Sequence, residues 1–195
     1  VALVNEQKRM KKEFERFAMT DTLTGLLNRR ALLDVLRKDE DRMRRENRPM
    51  GVVMADVDRF KDVNDRHGHK AGDRVLRVVA SCLLASVRTG DYVGRWGGEE
   101  FLLVLPGADI VQCADVAERC RILLEEQEFE NEDGQAIRVT ASFGAAATES
   151  VHRCDIMSLV QQADKAMYWA KGGGRNLVRV YVGSLDQTAG KPPAV

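Results

Sequence analysis

An apolar run, Gly51-Val52-Val53-Met54-Ala55, stops at Asp56, and Asp58 follows two residues later. On an extended strand, side chains at i and i+2 share a face, so both carboxylates can look into one site. Two acids at the mouth of an apolar strand are costly unless something offsets their charge. A divalent cation does this well, and all-oxygen donors suit Mg²⁺ or Mn²⁺ better than zinc. A helix cap followed by a turn explains the same pair without any ion, and both readings stay open.

Glu99 and Glu100 follow Gly97-Gly98 within Arg95-Trp96-Gly97-Gly98-Glu99-Glu100-Phe101. A Gly-Gly connection predicts a tight two-residue hairpin, because the favoured turns need positive φ. Strand alternation then sends Glu99 and Glu100 to opposite faces, so one of them can join Asp56. The glycines would also let a ligand approach the backbone closely. An exposed hairpin with two surface acids fits equally well.

Lys171 and Arg175 flank Gly172-Gly173-Gly174. They suit either a helix C-terminus, where positive charge complements the dipole, or a phosphate clamp. Arg88 and Asp91 bracket Thr89-Gly90 and by themselves read as a local ion pair. His67 and His69 sit in a polar stretch and read as structural. Taken together, these residues suggest a nucleotide-phosphate site with carboxylate-bound magnesium, but spacing alone names neither the base nor the reaction.

The elements that must hold these residues follow from periodicity. Residues 1 to about 18 carry Leu3, Met10 and Phe17 at heptad spacing, which fits a solvated helix or the end of a parallel coiled coil. An amphipathic helix is predicted from about Asn28 to Glu46, and a buried strand over Gly51–Ala55. A polar loop is expected up to Gly72, then a helix from Asp73 to Val87. Strands over Tyr92–Trp96 and Glu99–Leu105 flank the glycine pair. A helix from Asp109 to Glu126, a polar hairpin near Asn131–Gln135, a strand over Ile137–Ala147, a helix from Asp155 to Lys171 and a strand over Leu177–Val182 complete the core. Strands interleaved with helices, one pair forming a tight hairpin, predict an α/β (α+β) sandwich with a mostly antiparallel sheet covered by helices. The expected divisions are a helical linker over 1–19, a domain over 20–182 and a disordered tail over 183–195.

Bulk properties narrow the function. With 195 residues, 30 Lys plus Arg and 30 Asp plus Glu, the chain has no net charge with which to grip nucleic acid or an anionic membrane. Cys82, Cys113, Cys120 and Cys154 lack zinc-ligand spacing. Cys113 and Cys120 share one helical face and read as core. Free thiols fit a reducing cytoplasm. No apolar run reaches spanning length. The sequence does not begin with Met, so an upstream sensory region or membrane anchor is an open expectation.

The ordered motifs resemble the GGDEF family of diguanylate cyclases over about Thr20 to Val182. They are Asp21-Thr22-Leu23-Thr24-Gly25-Leu26-Leu27-Asn28-Arg29-Arg30, Asp56 to Asp65, His67-Gly68-His69-Lys70-Ala71-Gly72-Asp73, Gly97-Gly98-Glu99-Glu100-Phe101, Ala163 to Tyr168 and Lys171 to Asn176. The resemblance implies a palm-like fold and condensation of two GTP into cyclic di-GMP by a homodimer. It implies that Asp56, the Val57 carbonyl and Glu99 hold Mg²⁺ or Mn²⁺, with Glu99 also helping to deprotonate the 3′-hydroxyl and Glu100 in support. Asn64 and Asp73 would read guanine. Backbone amides near Phe60 and Lys61, with Lys171 and Arg175, would cradle phosphates, and Gly97 and Gly98 would leave room for the nucleotide. Arg88 and Asp91 would form an inhibitory product site, with Arg119 as a further contact. Two other readings are a catalytically silent module that senses GTP or cyclic di-GMP, and a cyclase with a different nucleotide product.

Overall fold

The computed structural model describes residues 19–130, 134, 136–148 and 155–183. The N-terminal heptads, the 184–195 tail and Cys154 lie outside them. The elements are β1 (Leu27–Asn28), α1 (Arg29–Glu46), β2 (Met50–Val57), α2 (Phe60–His67), α3 (His69–Ala85), β3 (Tyr92–Arg95), β4 (Glu100–Pro106), α4 (Ile110–Glu125), β5 (Phe129–Glu130), β6 (Ala136–Ile137), β7 (Ala141–Thr148), α5 (Ile156–Gly172) and β8 (Val178–Val180).

Six strands form one sheet in the order β1-β3-β4-β2-β7-β8. The three central pairings, β3–β4, β4–β2 and β2–β7, are antiparallel, and only the two edge strands join in parallel. This is the mostly antiparallel sheet that the hairpin signal implied. β2 lies in the middle and is buried along its whole length, as a strand covered on both faces must be.

Alternation along β2 feeds two cores. Val53, Ala55 and Val57 face α2, α3 and α4, alongside Phe101, Leu103 and Phe143. Val52 and Met54 face α1 and α5, against Leu32, Leu36, Leu159, Ala163 and Met167. Side chains thus fix a helix–sheet–helix sandwich. Two glycines make the layers fit. A Cβ on Gly51 would run into the Cys113 Sγ of α4. At Gly144 of β7 it would run into the backbone of α5, at the Ala163 carbonyl and the Met167 amide.

The helix ends are chemically marked. Asn28 caps α1 by accepting from the Ala31 amide at 3.0 Å, and Asn47 closes it in the left-handed conformation. Asp109 and Gln112 form a reciprocal capping box on α4.

Two expectations are corrected. The polar stretch after Asp58 is not a loop up to Gly72 but two helices, α2 and α3, which meet at Gly68 with φ +79°. Only Phe60 and Val63 of α2 are buried, too few apolar positions to show a helical period. The strand expected over Ile137–Ala147 is divided: Ala136–Ile137 pairs back on Phe129–Glu130, and β7 starts at Ala141.

Candidate functional site

Asp56 lies in register with Glu100 of β4 and Ser142 of β7. It is 6% exposed, and its carboxylate accepts from the Lys171 ammonium of α5 at 2.7 Å. Burial pushes its pKa up to about 6; Lys171 opposes this, and the charges of Glu99 and Glu100 add to it. A buried acid with two further carboxylates close by and one ammonium to balance it is short of positive charge. Hard oxygen donors with that deficit fit a divalent cation. Among the described residues, no three acidic, His or Cys side chains are already drawn around one point.

Asp58 does not share this site. Its carboxylate accepts from the Thr140 hydroxyl at 2.7 Å, the Ser142 hydroxyl at 2.7 Å and the Asn176 amide at 3.0 Å. The i, i+2 rule fails because β2 ends at Val57, and the next residue but one, Arg59, takes a left-handed φ of 53°. Asp58 instead ties the end of β2 to β7 and to the segment after α5. Val57 buries its side chain and donates its amide to the Glu99 carbonyl at 3.2 Å. The backbones of Val57 and Glu99 are thereby held side by side.

The glycine pair is not a two-residue turn. Arg95 pairs with Phe101, and the Trp96 and Gly97 amides both donate to the Glu100 carbonyl, at 2.8 and 3.2 Å. Neither glycine has a positive φ. A Cβ on Gly97 would lie 2.5 Å from a Glu100 carboxylate oxygen, so the Glu100 side chain would have to swing aside. A Cβ on Gly98 would meet nothing within 4 Å, so that residue faces open space.

Arg95 holds this loop in place. Its Nε and Nη2 donate to the Gly98 carbonyl at 3.0 and 2.6 Å. Its Nη1 donates to both Asp21 oxygens, at 3.3 and 3.2 Å. Burial works against the Asp21 charge, but hydrogen bonds from Thr24 together with Arg95 outweigh it and hold that carboxyl below its usual range. Sequence reasoning did not single out Arg95 as a site residue. No spacing rule links it to an acid 74 positions earlier.

A cleft of about 430 Å³ opens beside the loop, lined by Phe60, Lys61, Asn64, His69, Asp73, Leu76, Arg95, Gly98 and Glu99. Six of these were expected from sequence; His69, Leu76 and Arg95 were not. Gly72 lets α3 press onto α2. A Cβ there would run into the Asn64 carbonyl oxygen and lie 3.1 Å from the Phe60 ring. Asn64 and Asp73 are therefore brought to one cleft from two helices.

Lys171 and Arg175 are directed differently. Lys171 is engaged with Asp56, while Arg175, with φ +65°, lines a second cleft of about 450 Å³ with Asp58, Arg59 and Asn176. A third cavity, about 210 Å³, is lined by Arg88, Asp91, Asp115 and Arg119 among others. Arg88 donates from Nε to Asp91 at 3.4 Å and from Nη2 to the Pro106 carbonyl at 3.2 Å. Arg119 grips the Ser86 carbonyl at 2.6 and 3.1 Å. The local ion pair is real, and it forms one wall of a cavity.

No described helix is long and apolar enough to cross a membrane. Residues 18–177 match the sequence profile described as "Diguanylate cyclase, GGDEF domain". Diguanylate cyclase DosC of Escherichia coli is 39% identical over 165 residues, covering 85% of this chain and 35% of DosC. Diguanylate cyclase DgcM of the same organism is 36% identical over 175 residues, covering 90% and 41%. The chain thus spans little more than a third of the length of these relatives. The coiled coil and GGDEF domain of DgcB from Caulobacter crescentus, solved in complex with c-di-GMP, gives a TM-score of 0.84 at 30% identity, covering 92% of this chain and 94% of that one. The active GGEEF domain of a Vibrio cholerae diguanylate cyclase gives 0.75 at 31%, covering 82% and 99%. From its sequence match and its fold alike, the chain belongs to the GGDEF-domain family of diguanylate cyclases.

Proposed function

We propose that this domain condenses two GTP molecules into cyclic di-GMP with release of two pyrophosphates. The observation that carries this reading is the 430 Å³ cleft, which brings Asn64 and Asp73 together with Glu99, next to buried Asp56. Asp73 accepts from the N1–H and amino group of guanine, two donors that adenine does not present on that edge, and Asn64 supplies an amide for the remaining polar positions. Phe60 and Leu76 pack the apolar part of the base.

Asp56, the Val57 carbonyl and Glu99 would hold a divalent cation, Mg²⁺ or Mn²⁺. Such an ion supplies acidification of the 3′-hydroxyl and charge neutralisation at the α-phosphate. Glu99 takes up the hydroxyl proton. Glu100 adds negative charge at the same strand end. The Lys171 ammonium, and Arg175 beyond the glycines, meet the phosphate oxygens. Arg95 keeps Gly98 in place so that the nucleotide meets backbone rather than side chain.

One domain carries one such cleft, and two 3′-hydroxyl attacks are needed. The active unit is therefore a two-fold homodimer whose clefts face each other. The heptad spacing of Leu3, Met10 and Phe17 supports a dimerising linker. Cyclic di-GMP bound at the Arg88, Asp91 and Arg119 cavity would hold the two clefts apart; the DgcB domain solved with c-di-GMP supports a ligand of that class.

The test is incubation of the protein at high concentration with GTP and Mg²⁺, product being scavenged and nucleotides separated by chromatography. Cyclic di-GMP is expected, and Glu99→Gln is expected to bind GTP without turnover. GTP binding without any product from the unaltered chain would assign it to the silent sensing modules instead.

A further inference from the structure

Helix α2 is a partition between two clefts. Phe60, Lys61 and Asn64 line the nucleotide cleft, while Arg59, Asp62, Arg66 and His67 line the other. Across the second cleft stand Arg138 and Arg175, so four guanidiniums border a space of about 450 Å³. Its two carboxylates do not balance them. Asp58 is occupied by Thr140, Ser142 and the Asn176 amide, which leaves Asp62. Among the described residues, none of the four guanidiniums has a hydrogen bond or ion pair of its own. Arginines on an ordinary solvated surface commonly find acidic neighbours, as Arg37, Arg42, Arg44 and Arg48 do here.

A second observation concerns the backbone. Four non-glycine residues among those described have positive φ, and three of them, Arg59, Arg175 and Asn176, line this cleft. The fourth, Asn47, is an ordinary helix C-cap. A left-handed arginine carries backbone strain, and such strain gathers at ligand sites. Here it turns two guanidiniums toward one space.

We propose that the Arg59, Arg66 and Arg138 side of this cleft is a docking site for pyrophosphate, the leaving group of the reaction, extending beyond the Arg175 that also meets the phosphates of intact GTP. The inference rests on the reading of the domain as a cyclase. Attack by a 3′-oxygen forms its bond to the α-phosphorus and breaks the bond from that phosphorus to the oxygen bridging to the β-phosphate. The bond electrons leave with pyrophosphate, a compact polyanion. Arg175, four positions past the Lys171 that pairs with Asp56, lines this cleft. Arg59, Arg66 and Arg138 complete the positive lining. Unpaired, forked guanidiniums match the geometry of a diphosphate. The cleft would draw the leaving group off the reaction site and slow the reverse attack.

The test uses the full chain with Arg66→Ala plus Arg138→Ala, both exposed positions outside the nucleotide cleft. Inorganic pyrophosphate is titrated by calorimetry in the absence of GTP, and separately as an inhibitor of turnover. GTP affinity is measured in parallel. The double variant is expected to weaken pyrophosphate binding, and its inhibition, by about tenfold or more, with GTP affinity within roughly twofold of the parent. Unchanged pyrophosphate affinity would overturn the proposal. So would an equal loss for GTP and pyrophosphate, since the cleft would then be part of the substrate site. Pyrophosphate binding to a chain that makes no product would show that the cyclase reading had failed while the anion site stood.

Discussion

Replacing Asp56 by Asn should make the metal-free protein more stable at neutral pH, although it removes the carboxylate proposed to hold the metal. The folded protein raises the Asp56 carboxyl from 3.8 to about 6, so it binds that proton more tightly than the unfolded chain does. The associated stability is fully present below about 3.8 and is lost as pH rises through about 6. Above that, the unaltered protein carries an ionised acid in a place that disfavours it. The interval corresponds to roughly 3 kcal/mol, and it already includes the opposing attraction of Lys171. The amide introduced by Asp56→Asn would keep the shape of the neutral acid without the charge. For a chain of 195 residues, that translates into a melting temperature higher by roughly 6–12 °C at about pH 7.5. The assay is chemical or thermal unfolding of both proteins in chelator across roughly pH 4 to 8. The gap should be small near pH 3.8, open between there and about 6, and stay constant above that. A gap of zero at the alkaline end, or one that does not change with pH, would refute the argument. With Mg²⁺ and a non-hydrolysable GTP analogue, the order should reverse, because only the unaltered protein gains ligand stabilisation.

Three further outcomes are expected. Arg88→Ala should raise the inhibition constant for cyclic di-GMP by about tenfold or more; an unchanged constant, measured with product otherwise scavenged, would leave Arg88 as a local brace. Gly72→Ala should push Asn64 and Phe60 away from α3 and raise the KM for GTP several-fold, roughly the cost of one weakened hydrogen bond; steady-state kinetics across GTP concentrations checks this. Burial pushes the thiol of Cys113 up to about 12 and that of Cys120 up to about 11, so neither should be alkylated at about pH 8 until the chain unfolds, as peptide mapping after iodoacetamide would show.

The order of strands and helices was readable because β2 and β4 are continuous apolar runs, while α4 and α5 carry enough apolar residues to display a helical period. α2 was not readable, since an eight-residue helix with two buried side chains displays none. The acidic end of β2 was visible as a change from apolar to charged residues. The separation of Asp58 from Asp56 was not, because it depends on a left-handed Arg59 and on partners 82 to 118 positions away. The glycines of the loop were noticed from sequence, but the positive φ expected of them is absent, and only the Glu100 side-chain end sits against Gly97. Arg95 shows a further limit. Its role is defined by two groups that meet only in the folded chain, the Gly98 carbonyl and the Asp21 carboxylate.

Gly144 lies far from the nucleotide cleft in the chain, yet it sets the height of a lever. α5 rests there backbone against backbone, at Ala163 and Met167. Lys171 extends from the same rigid rod one turn beyond Met167, about 6 Å along its axis. A methyl group at position 144 could not be absorbed by a rotating side chain, since what it meets is main chain. The rod would have to rise or tilt, and its far end would carry the ammonium away from Asp56, now 2.7 Å distant. A small apolar change at the middle of the sheet would thus be felt as a change of electric field at its end.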